Sequence, residues 1–197
     1  MKRQTQGPQK TMRTFIAVPM SQQCHDLLGD LQGKMRPLGA DVRWVATSSI
    51  HLTLKFLGEI DPALVPRLVD SLRNSSAGVS PFKLRLQGLG GFPNVRSPRV
   101  IWCGVEGETD RLLLLQEKVE KACADLGFTP ENRPFHPHLT LGRVQGKRNL
   151  QQLLDYIKIA PDFEQGFDAD RYHLFKSVLT PRGAIYTVLE TIELTRQ

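Results

Sequence analysis

The tetrapeptide His-Leu-Thr-Leu occurs twice in this chain, at residues 51–54 and again at 138–141. In 197 residues that hold 5 histidines, two copies of one such word arise by chance with odds on the order of 10⁻⁵. An internal repeat constrains the fold, because both copies must be carried by the same local structure in two related halves.

The surrounding pattern agrees. A strand over 13–19 is followed by a helix opened by Ser21, with Leu27, Leu28, Leu31 and Met35 at helical spacing. Strands over 42–45 and 50–57 and a helix over 62–74 complete the first series. A comparable order begins at Phe82, where Phe82, Leu84 and Leu86 alternate with Lys83, Arg85 and Gln87 in a half-exposed strand. A turn over 88–98, a strand over 100–105 and a helix over 109–127 come next, the helix carrying Leu112, Leu115, Val119, Ala122 and Leu126 on one stripe and ending at Gly127. A strand over 135–144, a basic loop, a short helix over 150–157 and late strands over 173–179 and 184–194, joined by the turn Thr180-Pro-Arg-Gly183, close the chain. Consecutive strands between helices imply an α+β fold of two similar halves, rather than an alternating parallel sheet.

Composition limits the rest. With 40% apolar and 23% charged residues the chain is neither disordered nor a coiled coil. Its apolar runs fall far short of the roughly 18 residues that a membrane span needs. Residues 1–12 are polar and basic with no apolar stretch, which reads as a flexible tail before a single domain over 13–197, in the cytoplasm. Cys24, Cys103 and Cys123 are odd in number and lack CxxC spacing, so buried, idle thiols are expected rather than disulfides or a zinc ribbon. A net charge of +6 favours an anionic partner such as RNA or nucleotides.

On a strand, alternate side chains share a face. Leu52, Leu54, Leu139 and Leu141 would pack inward while His51, Thr53, His138 and Thr140 project into a cleft. If the halves are related by an approximate two-fold, the two imidazoles face each other across one substrate. Displacement at phosphorus needs that arrangement: a base for the attacking oxygen and, opposite, an acid for the leaving oxygen. Histidine titrates near neutrality and serves either role. The threonine hydroxyls suit the non-bridging phosphate oxygens. One such motif alone would more often be a hydrogen-bonded core histidine; the pairing argues against that reading.

Other positions are more open. Lys55 has the parity of His51 and either lines the cleft or is a solvated edge lysine. Phe56 and Arg143 each lie five residues past their histidine, with the wrong parity for a straight strand; a bulge, for which Gly142 is permissive, would re-aim them. Phe56 would then stack on a base or else pack in the core, and Arg143 would bind phosphate. A His136/His138 metal pair lacks accompanying ligands at recognisable spacing, so no metal and no cofactor are expected. His25 and His173 receive no role.

These residues resemble the 2H phosphoesterases, in particular the RNA 2′,3′-cyclic phosphodiesterases, also described as 2′-5′ RNA ligase-like. The resemblance runs from residue 13 to about 194 and is carried by Thr14-Phe-Ile-Ala-Val18, Val42-Arg-Trp-Val45, the segments 51–58 and 134–143, and Ser177 to Tyr186. It implies a bilobal fold of two pseudo-symmetric antiparallel sheets with flanking helices and a central cleft. It also implies metal-independent hydrolysis of RNA 2′,3′-cyclic phosphate ends, or of nucleoside 2′,3′-cyclic phosphates, to a 2′-phosphate. His51 would be the proton donor, His138 the proton acceptor, and Arg143 the family's arginine. Reversible 2′-5′ ligation in the same site and a non-catalytic nucleotide-binding role stand as alternatives. An internally duplicated chain completes its own site, so a monomer is expected.

Overall fold

A computed structural model describes residues 11–181 and 183–195. Most of the expected basic tail, residues 1–10, and Arg182 of the expected late turn lie outside the described residues. The chain runs through β1 (Met12–Val18), α1 (Gln22–Met35), β2 (Val42–Trp44), β3 (Leu52–Ile60), α2 (Val65–Ser76), β4 (Phe82–Phe92) and β5 (Val100–Gly107). It continues through α3 (Thr109–Ala124), β6 (His138–Val144), α4 (Leu150–Ile159), β7 (Gln165–Ala169), β8 (Arg171–Thr180) and β9 (Gly183–Glu193).

Local chemistry sets the ends of these elements. Ser21 caps α1 by accepting the Cys24 N–H. Asp61 caps a short 3-10 turn at Pro62–Leu64 that leads into α2. The apolar stripe of α3 is buried through Leu112, Leu115, Val119, Ala122 and Cys123. All three cysteines are free and buried, and burial pushes Cys103 and Cys123 up to about 12, so neither is a thiolate at neutral pH.

The strands form two antiparallel sheets, ordered β3-β1-β8-β9 and β2-β6-β5-β4-β7. The two histidine strands hold matching places, since β3 pairs with β1 as β6 pairs with β5. The sheets are not the two sequence halves, however. The late strands β8 and β9 return to complete the first sheet beside β1, and β2 crosses to the edge of the second. Helices cross as well: α1 follows a strand of the first sheet but packs against β7 in the second, and α3 follows β5 but packs against β3. One hydrophobic core results, shared by both sheets and all four helices.

Three sequence expectations are corrected. Strand β6 starts at His138 rather than 135, where Pro134 and Pro137 have no N–H for a ladder. Strand β4 runs on to Phe92 through the expected turn, its register with β5 slipping between Leu86 and Leu89, where Gly88 adopts φ +74. Strand β7 is unanticipated; its Gly-Phe-Asp-Ala sequence has little strand propensity, and pairing with β4 at the sheet edge fixes it.

Candidate active site

The same irregularity occurs in both histidine strands. Between β1 and β3 the register passes from Ala17↔Thr53 to Ile16↔Lys55, leaving Leu54 as an extra residue. Between β5 and β6 it passes from Trp102↔Thr140 to Ile101↔Gly142, leaving Leu141 as the extra residue. Each bulge falls on the last leucine of the repeated tetrapeptide and inverts the parity of the residues after it. Phe56 and Arg143 therefore emerge on the face of their histidine, and both are exposed. The glycine beside the second bulge serves packing: a Cβ on Gly142 would collide with the Val42 and Trp44 side chains of β2.

Lys55 is turned the other way by its bulge, and here the structure corrects the expectation that it lines the cleft. It is buried at 6% exposure, 2.6 Å from Glu120 of α3, and donates to the Thr129 carbonyl at 3.0 Å. Glu120 also accepts the Glu131 N–H at 2.9 Å. Lys55 thus ties β3 to α3 and to the loop that leads toward His138. In the other half, Gln32 of α1 is buried and donates to the carbonyls of Val45 and of the bulged Leu141, at 2.8 and 3.0 Å.

His51 stands among aromatic rings. Its centroid stacks on Phe15 at 4.5 Å, with Tyr186 edge-on at 5.1 Å and Phe175 at 5.9 Å. Phe56 tilts against Phe15 at 6.1 Å while 65% exposed, so it is a rim residue and not part of the core. Burial lowers His51 to about 4, opposed by a hydrogen bond to the Ser49 backbone.

His138 is held in the corresponding way. Its Nδ1 lies 2.7 Å from the His136 carbonyl, again two residues upstream, so Nδ1 carries the proton and the neutral ring keeps its lone pair on Nε2. Phe92 meets the ring edge-on at 4.8 Å. Burial lowers the His138 pKa, with smaller contributions from His136 and Arg143 in the same direction. Burial raises the pKa of Tyr186, the ring that touches His51, and the charges of Arg13 and Arg143 oppose that rise.

His136 is exposed and contributes its carbonyl, while His173 is bonded to Thr191 at 3.0 Å. No three His, Cys, Asp or Glu side chains among the described residues are grouped to hold a metal ion. None of the helices among the described residues is long and apolar enough to cross a membrane. Sequence reasoning gave no role to Phe15, Phe175, Tyr186, Gln32 or Glu120. Phe15 and Tyr186 lie in segments that carry the family resemblance, but nothing local reveals that residues near the chain's end return beside β1.

The family model described as "2′-5′ RNA ligase superfamily" matches residues 34–180, three quarters of the chain. The chain belongs to the 2′-5′ RNA ligase superfamily. Among its relatives, a protein of Methanothermobacter thermautotrophicus named RNA 2′,3′-cyclic phosphodiesterase is 35% identical over 93% of this chain and 99% of its own. One of the same name from Thermotoga maritima is 36% identical over 90% of this chain and 93% of its own. Among solved structures, a Thermus thermophilus protein superposes with TM-score 0.79 at 30% identity, covering 94% of this chain and 100% of that one. Escherichia coli LigT in complex with 3′-AMP gives 0.78 at 26%, covering 95% of this chain and 100% of LigT. Within this superfamily the chain has the two-sheet 2H phosphoesterase fold, and both of its HxT motifs stand at equivalent strands.

Proposed function

We propose that this chain is an RNA 2′,3′-cyclic phosphodiesterase that opens the cyclic phosphate to a 2′-phosphate by paired-histidine acid–base catalysis. The observation that carries this reading is the equivalence of His51 and His138. His138 opens β6 and His51 immediately precedes β3, both are anchored to the backbone two residues upstream, and both are followed by a bulge that aims the fifth residue onward at the same face.

With Nδ1 occupied by a carbonyl, His138 offers Nε2 as the base for an attacking water. As the P–O3′ bond breaks opposite the new P–O bond, His51 protonates the departing 3′-oxygen. Burial works against a protonated His51, and an anionic phosphodiester beside the ring restores it. Thr53 and Thr140 donate hydrogen bonds to the non-bridging oxygens, Arg143 adds positive charge, and Phe56 offers a stacking face to the terminal base. Every group in this scheme belongs to the protein. The same chemistry with a hydroxyl in place of water yields 2′-5′ ligation.

The test is turnover of an oligoribonucleotide ending in a 2′,3′-cyclic phosphate, with chelator present, by wild type and by His51→Ala and His138→Ala. Each variant should lose about 10²-fold or more in turnover. Full turnover in both would defeat the proposal, chelator sensitivity would defeat its metal-free form, and tight binding without product would favour a binding module.

A further inference from the structure

The segment Val42-Arg-Trp-Val45 helps to carry the family resemblance, yet none of its residues enters the reaction described above. Within it, β2 lays Arg43 directly opposite Arg143 of β6, with Trp44 opposite Gly142. Directly opposite residues of an antiparallel pair share a face, with Cβ atoms about 4.5–5.5 Å apart. Arg43 therefore stands on the face of Arg143, and both are exposed. Neither side chain has an ion-pair or hydrogen-bond partner among the described residues. Asp41, two residues before Arg43, is turned instead toward Gly146, where a Cβ would run into its carboxylate.

Like charges placed opposite one another destabilise a sheet, and β2 is only three residues long. Packing on its other face holds it in place. Val42 and Trp44 close over Gly142, where no Cβ fits, and the Arg36 guanidinium lies 5.7 Å from the Trp44 ring. Two guanidinium groups are thus kept side by side without an acid to neutralise them. Arg99 and Arg148, whose carbonyls accept the N–H groups of Val144 and Asp41 at 3.0 and 3.2 Å, add exposed charge at the same end of the sheet. This surface is complementary to more negative charge than a single phosphodiester brings.

Arg143 is the inner member of the pair: together with burial and His136, its charge lowers the His138 pKa. Arg43 lies one strand farther out, about 4.8 Å, on the edge strand of the second sheet. A nucleoside 2′,3′-cyclic phosphate carries one phosphorus and engages Arg143 alone. An RNA end carries a second, in the phosphodiester on the 5′ side of its last nucleotide. We propose that Arg43 is the ligand of that second phosphate, a subsite that selects ends with an upstream phosphodiester and that rests on the phosphodiesterase reading of the same cleft. The guanidinium of Arg43 donates to the two non-bridging oxygens, and the bound anion relieves its repulsion with Arg143.

The experiment gives the full chain two substrates: the dinucleotide ApA ending in a 2′,3′-cyclic phosphate, and the same molecule with an uncharged methylphosphonate as its internal linkage. For wild type, kcat/KM for the phosphodiester should exceed that for the methylphosphonate about tenfold, near what a hydrogen bond to a charged group contributes. The excess should shrink with added salt, with a log–log slope of about 0.7 for one phosphate contact. Arg43→Gln should bring the ratio near one, and Arg43→Lys, which keeps the charge, should retain part of it. A wild-type ratio near one, or a ratio that Arg43→Gln leaves intact, would overturn the subsite and leave the hydrolase reading standing. A protein that turns over neither substrate overturns the hydrolase reading, and the subsite with it.

Discussion

Gln32 of α1 and Glu120 of α3 brace opposite histidine strands. Gln32 donates to the carbonyl of the bulged Leu141 at 3.0 Å, and Glu120 holds Lys55, the residue after the bulged Leu54, at 2.6 Å. Each helix follows a strand of one sheet and supports the histidine strand of the other. Neither brace reaches the cleft, yet both act on the residues that set where Phe56 and Arg143 point.

Replacing Gln32 by leucine strands two buried carbonyls, those of Val45 and Leu141. Stability in urea should fall by about 1–3 kcal/mol. Turnover in the fraction that remains folded should fall about tenfold or more, as β6 relaxes and Arg143 loses its aim.

For Lys55→Met the loss is structural. Glu120 is left partly buried without its cation, which should cost about 3 kcal/mol in chemical denaturation. The double variant Lys55→Met/Glu120→Leu should recover part of it. A rise in KM with unchanged stability would instead make Lys55 a phosphate ligand.

Phe56→Ala removes a side chain that is 65% exposed. Stability should change by no more than about 0.5 kcal/mol, while KM for a base-bearing substrate rises by the equivalent of about 1–3 kcal/mol of stacking. A ribose 2′,3′-cyclic phosphate without a base should not feel the substitution.

The folded pKa of His51, about 4, lies below its unfolded value of 6.5. The unfolded chain therefore binds the proton more readily, and stability is fully present above pH 6.5 and is lost as pH falls toward 4. The loss from this ring amounts to about 3 kcal/mol, and His138 acts in the same direction. Unfolding free energies across this range should show that slope, reduced in His51→Gln. In kinetics, the basic limb of kcat should lie at higher pH than that of kcat/KM, because the bound phosphate anion favours protonated His51.

The repeated tetrapeptide made the candidate site legible: strand alternation alone separates His and Thr from the packing leucines, which are buried at 52, 54, 139 and 141. Phe56 and Arg143 were legible only conditionally, because parity argued against them and a bulge leaves no fixed mark in local sequence. Lys55 failed for the same reason, since the bulge that exposes Phe56 buries its neighbour. Most strands other than β7 followed from propensity and period, but the return of β8 and β9 to β1 is a tertiary choice. With it went the aromatic surroundings of His51, contributed by Phe175 and Tyr186 from far along the chain.

The most direct test of the central claim is a crystal structure of the chain with a uridine 2′,3′-vanadate, a mimic of five-coordinate phosphorus. Nitrogen atoms of His51 and His138 should lie about 3 Å from the two apical oxygens, on opposite sides of vanadium. A complex in which only one ring reaches the vanadate, or both lie on the same side, would contradict it.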